Sequence, residues 1–246
     1  MQQKTNSGSE HRLSTDREFY KIFFSIAIPV AIQNFLSSSL NLTNNMLVGQ
    51  LGDASVAAVG LANQVFFILN VILLGIGGGV SVYISQLWGS RNIAPIKKVV
   101  SLSLFITMSV AFMFFLPSFL IPRSVLALFS KDTSVIVLGS QYLKPISFSF
   151  LLMAPSVCFS SALRSTGNVR LPLITNIISL LVNTALNYIL IFGKLGFPAM
   201  GVSGSAIATV VARLTEITIL LAAIYSGDRV ISVKLRDLLN IPADLV

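Results

Sequence analysis

The sequence predicts an all-α, polytopic membrane protein with six transmembrane helices. Three observations carry that prediction. Of 246 residues, 54% are hydrophobic and 11% charged, whereas soluble domains carry about 25% charged residues; mean hydropathy is +0.83. Apolar segments recur six times along the chain, each with the roughly 20 residues a helix needs to cross a bilayer. The basic residues between them fall mostly on one side, as cytoplasmic loops do.

Residues 1–18 are polar and mixed in charge, without the basic n-region and small-residue cleavage site of a signal peptide. They are expected to form a mobile cytoplasmic tail. The spans are expected at 19–47, 54–87, 93–116, 135–163, 171–192 and 202–225. Pro29 should kink the first, and Pro145 and Pro155 the fourth. The second and fourth exceed the minimum and can tilt or run past the bilayer. Residues 226–246 are expected as a cytoplasmic C-terminal segment or an inter-lobe linker, where Val230, Val233, Leu235, Leu238 and Leu239 suit a short helix lying on the membrane face.

Charge orients these spans. Lys4, Arg12, Arg17 and Lys21, then Arg91, Lys97 and Lys98, then Arg164 and Arg170, and finally Arg229, Lys234 and Arg236 fall on one side. Arg123, Lys131 and Lys194 fall on the other, and Lys144 and Arg213 lie within spans. Both termini are therefore expected in the cytoplasm. The net charge of +8 reads as a topology signal, and a nucleic-acid partner is not expected.

The fifth span carries Asn176, Ser179, Asn183 and Asn187 at spacings of 3, 4 and 4, one stripe of a helix. Facing lipid, each unpaired group would cost several kcal/mol, to order of magnitude, so the stripe must face other helices or a wet cavity. The first span repeats the pattern with Asn34, Ser38, Asn41 and Asn45, and with Ser37 and Asn44 beside them. The second adds Asn63 and Asn70, seven apart. Interhelical hydrogen bonding alone could explain one such row. Three rows together favour a cavity lined by uncharged amides, able to hold water or an amphipathic solute. Asn41, Asn44, Asn70, Asn176, Asn183 and Asn187 are the expected substrate path.

Other features are expected to be structural. Gly75 and Gly79 make a small-xxx-small pair for helix packing, as do Gly201 and Ser205. The glycine run 75–79 lacks the third glycine and preceding strand of a dinucleotide site. One cysteine, Cys158, cannot form an intrachain disulfide, and one histidine, His11, offers no His-based metal site. No nucleophile–base pair suggests an enzyme. Glu216 is the one carboxylate inside a span, and Arg213 lies three residues before it on the same face. A neutralising ion pair is the simpler reading; a coupling group is the alternative.

The stretches PVAIQNFLSSSLNLTNNMLVGQLG (29–52), AAVGLANQVFF (57–67), SQLWGSRN (85–92), ALRSTGNVRLP (162–172) and LNYILIFGKLGFPAMGVSGSAIATVVAR (186–213) resemble the MATE family, the multidrug and toxic compound extrusion transporters. The resemblance implies the N-terminal lobe of a two-lobe exporter in the plasma membrane. It implies a small organic, often cationic, substrate, exchanged for protons or sodium by alternating access, with no bound cofactor. It implies a second lobe as partner: a C-terminal half, a separate chain or a second copy. The family often places aspartates where this chain has Asn44 and Asn187. An amide does not titrate at physiological pH and ligates sodium weakly, so coupling through those two positions is not expected here. Two alternatives stay open: a non-transporting lobe that associates with a full transporter, and a lipid-linked sugar flippase. The flippase would call for a cationic cavity, whereas these spans present mainly amides.

Overall fold

The computed structural model describes residues 6–227. They form α1 (Asn6–Gly49), α2 (Asp53–Gly89), α3 (Ala94–Leu120), α4 (Pro122–Ala127), α5 (Thr133–Ser165), α6 (Arg170–Phe192) and α7 (Gly201–Gly227). All but α4 are long and apolar enough to cross a membrane. The segment expected as a mobile tail is helical from Asn6, continuous with the first span; between Gly8 and Pro29 nothing in the sequence interrupts a helix. The expected short helix around Val230–Leu239 lies outside the described residues. The connection after the third span contains α4, which sequence periodicity did not reveal. Six residues starting with Pro122 are too few to show a repeat.

α5 is the axis of the bundle. Of its most apolar stretch 72% is buried, against 33% or less in every other span, and it packs on α2, α3 and α7. Its composition permits this. Ser140, Ser147, Ser149 and Ser156 are buried, yet each hydroxyl donates to a carbonyl of its own helix, as Ser147 does to Lys144 at 2.7 Å and Ser149 to Ile146 at 2.6 Å. With polarity satisfied internally, serines act as small residues that let neighbouring backbones approach. The helix continues through Pro145 and Pro155. Pro145 has no N–H for the Gln141 carbonyl four residues earlier; Ser203 of α7 donates its Oγ to that oxygen at 3.4 Å.

Two apolar clusters flank α5. One gathers Leu69 and Leu73 of α2 with Leu143 and Phe150. The other joins Ile84, Ile96 and Phe159 to Ile217, Leu220 and Ile224 of α7. At the entry to α5, Asp132 caps the helix, accepting from the Ser134 N–H at 2.9 Å and the Ser134 hydroxyl at 2.6 Å. Those bonds hold its carboxyl below its ordinary range.

α6 and α7 pack along their length, and α1 lies against α6 with a slighter contact to α2. The α6–α7 turn depends on glycine. Gly193 has φ 68°, and a Cβ there would sit 2.6 Å from the Ala199 nitrogen. Gly204 brings α7 onto the Leu190 backbone, where a Cβ would lie 2.7 Å from the carbonyl oxygen. Gly75 and Gly79 are a correction: both face open space, and the close approach on α2 is at Gly77, whose Cβ would meet Ser161 Oγ at 2.8 Å. The run of small residues satisfies several packing registers, and the α5 serine selects Gly77.

This contrast gives a test. In a helix interior Gly→Ala is worth about 1 kcal/mol in propensity, so Gly79→Ala should hold or raise the thermal midpoint of the detergent-purified protein. Gly204→Ala should lower it, because its clash is with backbone and no rotamer relieves it. Equal responses of the two variants would contradict the packing described.

Candidate functional site

The polar row of α6 threads the groove between α1 and α7, and its members alternate between the two neighbours. Asn176 accepts from the Ser37 hydroxyl of α1 at 3.2 Å. One turn on, Ser179 donates to the Ala212 carbonyl of α7 at 2.9 Å. Asn183 engages both sides: its Nδ2 donates to Thr209 Oγ1 at 3.2 Å, and its Oδ1 accepts from Asn44 Nδ2. Asn187 Nδ2 donates to Asn44 Oδ1 at 2.9 Å and to Asn183 Oδ1 at 3.1 Å. Asn44, Asn183 and Asn187 thus close a triangle of amides. Asn183 and Asn187 are buried, at 7% and 1% exposure. The opposite face of α6 carries Ile174, Leu181 and Tyr188, seven apart and each more than half exposed. That is the division a lipid-facing helix requires.

The row forms one wall of a cavity of about 310 Å³. α1 contributes Ser37, Asn44 and Asn45, and α2 contributes Asn63, Phe66 and Asn70. Tyr142 and Ile146 of α5 lie behind, and α7 adds Ser205, Thr209 and Arg213. Between α1 and α2, where packing is slight, Asn45, Asn63, Gln64 and Asn70 border a further open recess.

Of the expected path, the structure brings Asn44, Asn70, Asn176, Asn183 and Asn187 to one cavity. The Asn41 side chain lies outside the described residues. The row proposed on α1 is shifted: Asn34 and Ser38 are exposed, and the bonds to α6 come from Ser37 and Asn44, the pair taken as flanking. α1 has polar residues on both sides of that line, so spacing alone could not choose. Ser205, Thr209 and Tyr142 were missed as wall residues. The spacing of four from Ser205 to Thr209 to Arg213 was the available signal. Tyr142 had none, being one of four aromatics in α5.

Arg213 and Glu216 form an ion pair, Nη1 to Oε2 at 2.7 Å. Arg213 is among the residues that line the cavity, while the Glu216 side chain is 7% exposed. Cys158 is buried, with its Sγ 3.3 Å from Ser103 Oγ.

The MatE family model matches residues 29–189. The probable multidrug resistance protein YoeA of Bacillus subtilis is 32% identical over 195 residues, which are 79% of this chain and 42% of that protein. The probable multidrug resistance protein NorM of Thermotoga maritima is 30% identical over 217 residues, 86% of this chain and 46% of that one. Among solved structures, the MATE multidrug transporter DinF-BH superposes with a TM-score of 0.81 at 25% identity, over 89% of this chain and 48% of its own. A mutant of the Vibrio cholerae MATE transporter VcmN has the same fold, with a TM-score of 0.83 at 24% identity over 93% and 51%. The chain therefore spans about half the length of the relatives it matches.

Asn183 takes part in bonds to Asn44, Asn187 and Thr209. Two of these bonds, to Asn44 and Thr209, cross between helices, so at roughly 0.6 kcal/mol for each interhelical bond Asn183→Ala should destabilise the lobe by about 1 kcal/mol. Asn34→Leu, on an exposed face, should leave thermal stability unchanged. An Asn183 variant as stable as the parent would contradict the amide triangle.

Proposed function

This chain belongs to the MatE family, and from that premise we propose that it forms the substrate-conducting half of a multidrug efflux antiporter. Organic compounds would pass through the amide-lined cavity by alternating access, in exchange for H⁺ or Na⁺. The convergence of Asn44, Asn183 and Asn187 with the wall of α2 and α7 on one cavity carries the reading. Amides can donate to or accept from a passing solute without a formal charge to trap it.

The protein sits in the plasma membrane with both termini in the cytoplasm. Its partner is a second lobe: a C-terminal half, a separate chain or another copy of this one. The recess between α1 and α2 is the open side on which that lobe would complete the path. At Asn44 and Asn187 there is no carboxylate to carry a coupling proton, so the coupling ion takes another route. The Arg213–Glu216 pair serves to neutralise a charge within the membrane, since its two partners are already bonded to each other at 2.7 Å.

The test is a drug-susceptibility assay in efflux-deficient cells, with the chain expressed alone and with a second lobe, across pH and sodium. Export is expected only with two lobes. Asn183→Leu with Asn187→Leu should reduce it at least about tenfold, equivalent to about 1.4 kcal/mol, at matched membrane expression. Unchanged export by that double variant would remove the two residues from the path.

A further inference from the structure

Lys144 is a charge within a span that the solute path does not use. It is exposed and is not among the residues that line the cavity. Among the described residues the one ion pair is Arg213 with Glu216, and no hydrogen bond reaches the Lys144 ammonium. Its contact is aromatic: Nζ lies over the Phe119 ring of α3, 5.3 Å from the centroid. Phe119 stacks on Phe115 at 5.5 Å, and Phe148 of α5 meets both rings edge-on at 5.3 Å. Phe148 is exposed, as are Phe112 and Leu120. The ammonium thus rests on an aromatic shelf on the outside of the bundle.

A bare charge in hydrocarbon is costly, so a lysine in a span must reach the interface or be neutralised. Helix geometry places this one at the interface. Side chains lean toward the N-terminus of their helix, which for α5 is the Asp132 end. Phe119 is the penultimate residue of α3, at that same end. Twenty residues separate Lys144 from Arg164, and twenty-one separate Lys98 from Phe119. At about 1.5 Å per residue, both stretches measure about 30 Å, the thickness of the hydrocarbon core. The first turns of α5 then stand beyond the acyl chains, which accounts for a helix of 33 residues where about 20 suffice. The Lys144 ammonium is held at the depth of the lipid phosphates.

The chain supplies no anion there. From Ala94 to Ser165 the one acidic residue is Asp132, whose carboxylate already accepts from the Ser134 N–H and hydroxyl and the Val135 N–H. It precedes Lys144 by three turns, about 18 Å along the helix. Arg123 and Lys131, both exposed, add positive charge in the same stretch. We propose that Lys144 and the Phe115–Phe119–Phe148 shelf form a site for an anionic phospholipid. The ammonium takes the phosphate diester, and an acyl chain lies along Phe148 and Phe112. A headgroup of net negative charge is favoured over a zwitterionic one, whose own cation competes for the phosphate. Under the topology proposed above, this lipid belongs to the outer leaflet.

The test reads which lipid touches position 148. Phe148→Trp is combined with Trp88→Phe, which removes the chain's one tryptophan. The full chain is reconstituted in vesicles of phosphatidylcholine and phosphatidylglycerol, with bromine on the acyl chains of one lipid or the other to quench the reporter on contact. Phosphatidylglycerol should be preferred about fivefold, the gain expected of one lysine toward anionic lipid. Lys144→Gln should bring the ratio near one with the thermal midpoint retained, and Lys144→Arg should keep the preference. A tryptophan placed instead at Leu181, on the exposed face of α6, should show none. Equal quenching by the two lipids at position 148, in the chain that keeps Lys144, would overturn the proposal whether or not the variants fold. So would a preference that survives Lys144→Gln, or one matched at position 181, which would reflect net charge alone. Loss of the preference on adding inorganic phosphate at matched ionic strength would also overturn it, since the site would then take free phosphate and not a lipid.

Discussion

A side-chain amide cannot be left unpaired in hydrocarbon. α6 is apolar enough to lie in lipid, yet it carries three asparagines and a serine on one face. The cost of exposing them, several kcal/mol each by order of magnitude, fixes the rotation of the helix. The amide row must turn inward, and Ile174, Leu181 and Tyr188 must turn out. Ser37 and Asn44 on α1 and Ser179, Thr209 and Ala212 across the α6–α7 seam complete the pairing. α1 in particular is held to the bundle through α6, since its packing on α2 is slight.

This constraint explains the division of labour among the helices. α5 is the packing axis: its serines satisfy themselves, its surface is small, and apolar clusters close around it. α6 is the polar wall, and it makes few contacts with α5. The space left between the two is the cavity, bordered by α1, α2 and α7. One lobe thus combines a rigid apolar spine with a polar chamber beside it. Among the described lining residues the one charged side chain is Arg213, which is paired with Glu216.

Much of this was legible in the sequence, and the misses have definite causes. The six spans follow from hydropathy and length, and the inward face of α6 follows from its 3, 4, 4 spacing against a mostly apolar background. The corresponding face of α1 did not follow, because Asn34, Ser38 and Asn45 overlap the line of Ser37 and Asn44 within one helical turn. Gly75 and Gly79 have the spacing of a packing site, but so do Gly77 and Ser81, and only the position of Ser161 on α5 decides between them. That is tertiary information. So is the burial of Glu216 behind Arg213: spacing places the two on one face and cannot say which of them the cavity sees.

The most direct measurement is of which face of α6 meets water. Cys158, the chain's one cysteine, is replaced by alanine, and single cysteines are placed at Asn63 and Asn176 on the cavity side or at Ile174 and Leu181 on the other. Thiolates react and thiols in hydrocarbon do not. A water-soluble methanethiosulfonate should therefore label positions 63 and 176 at least about tenfold faster than 174 and 181 in native membranes. Fast labelling at 174 and 181, with 63 and 176 protected, would mean that the amide row faces lipid and that the chamber described here does not exist.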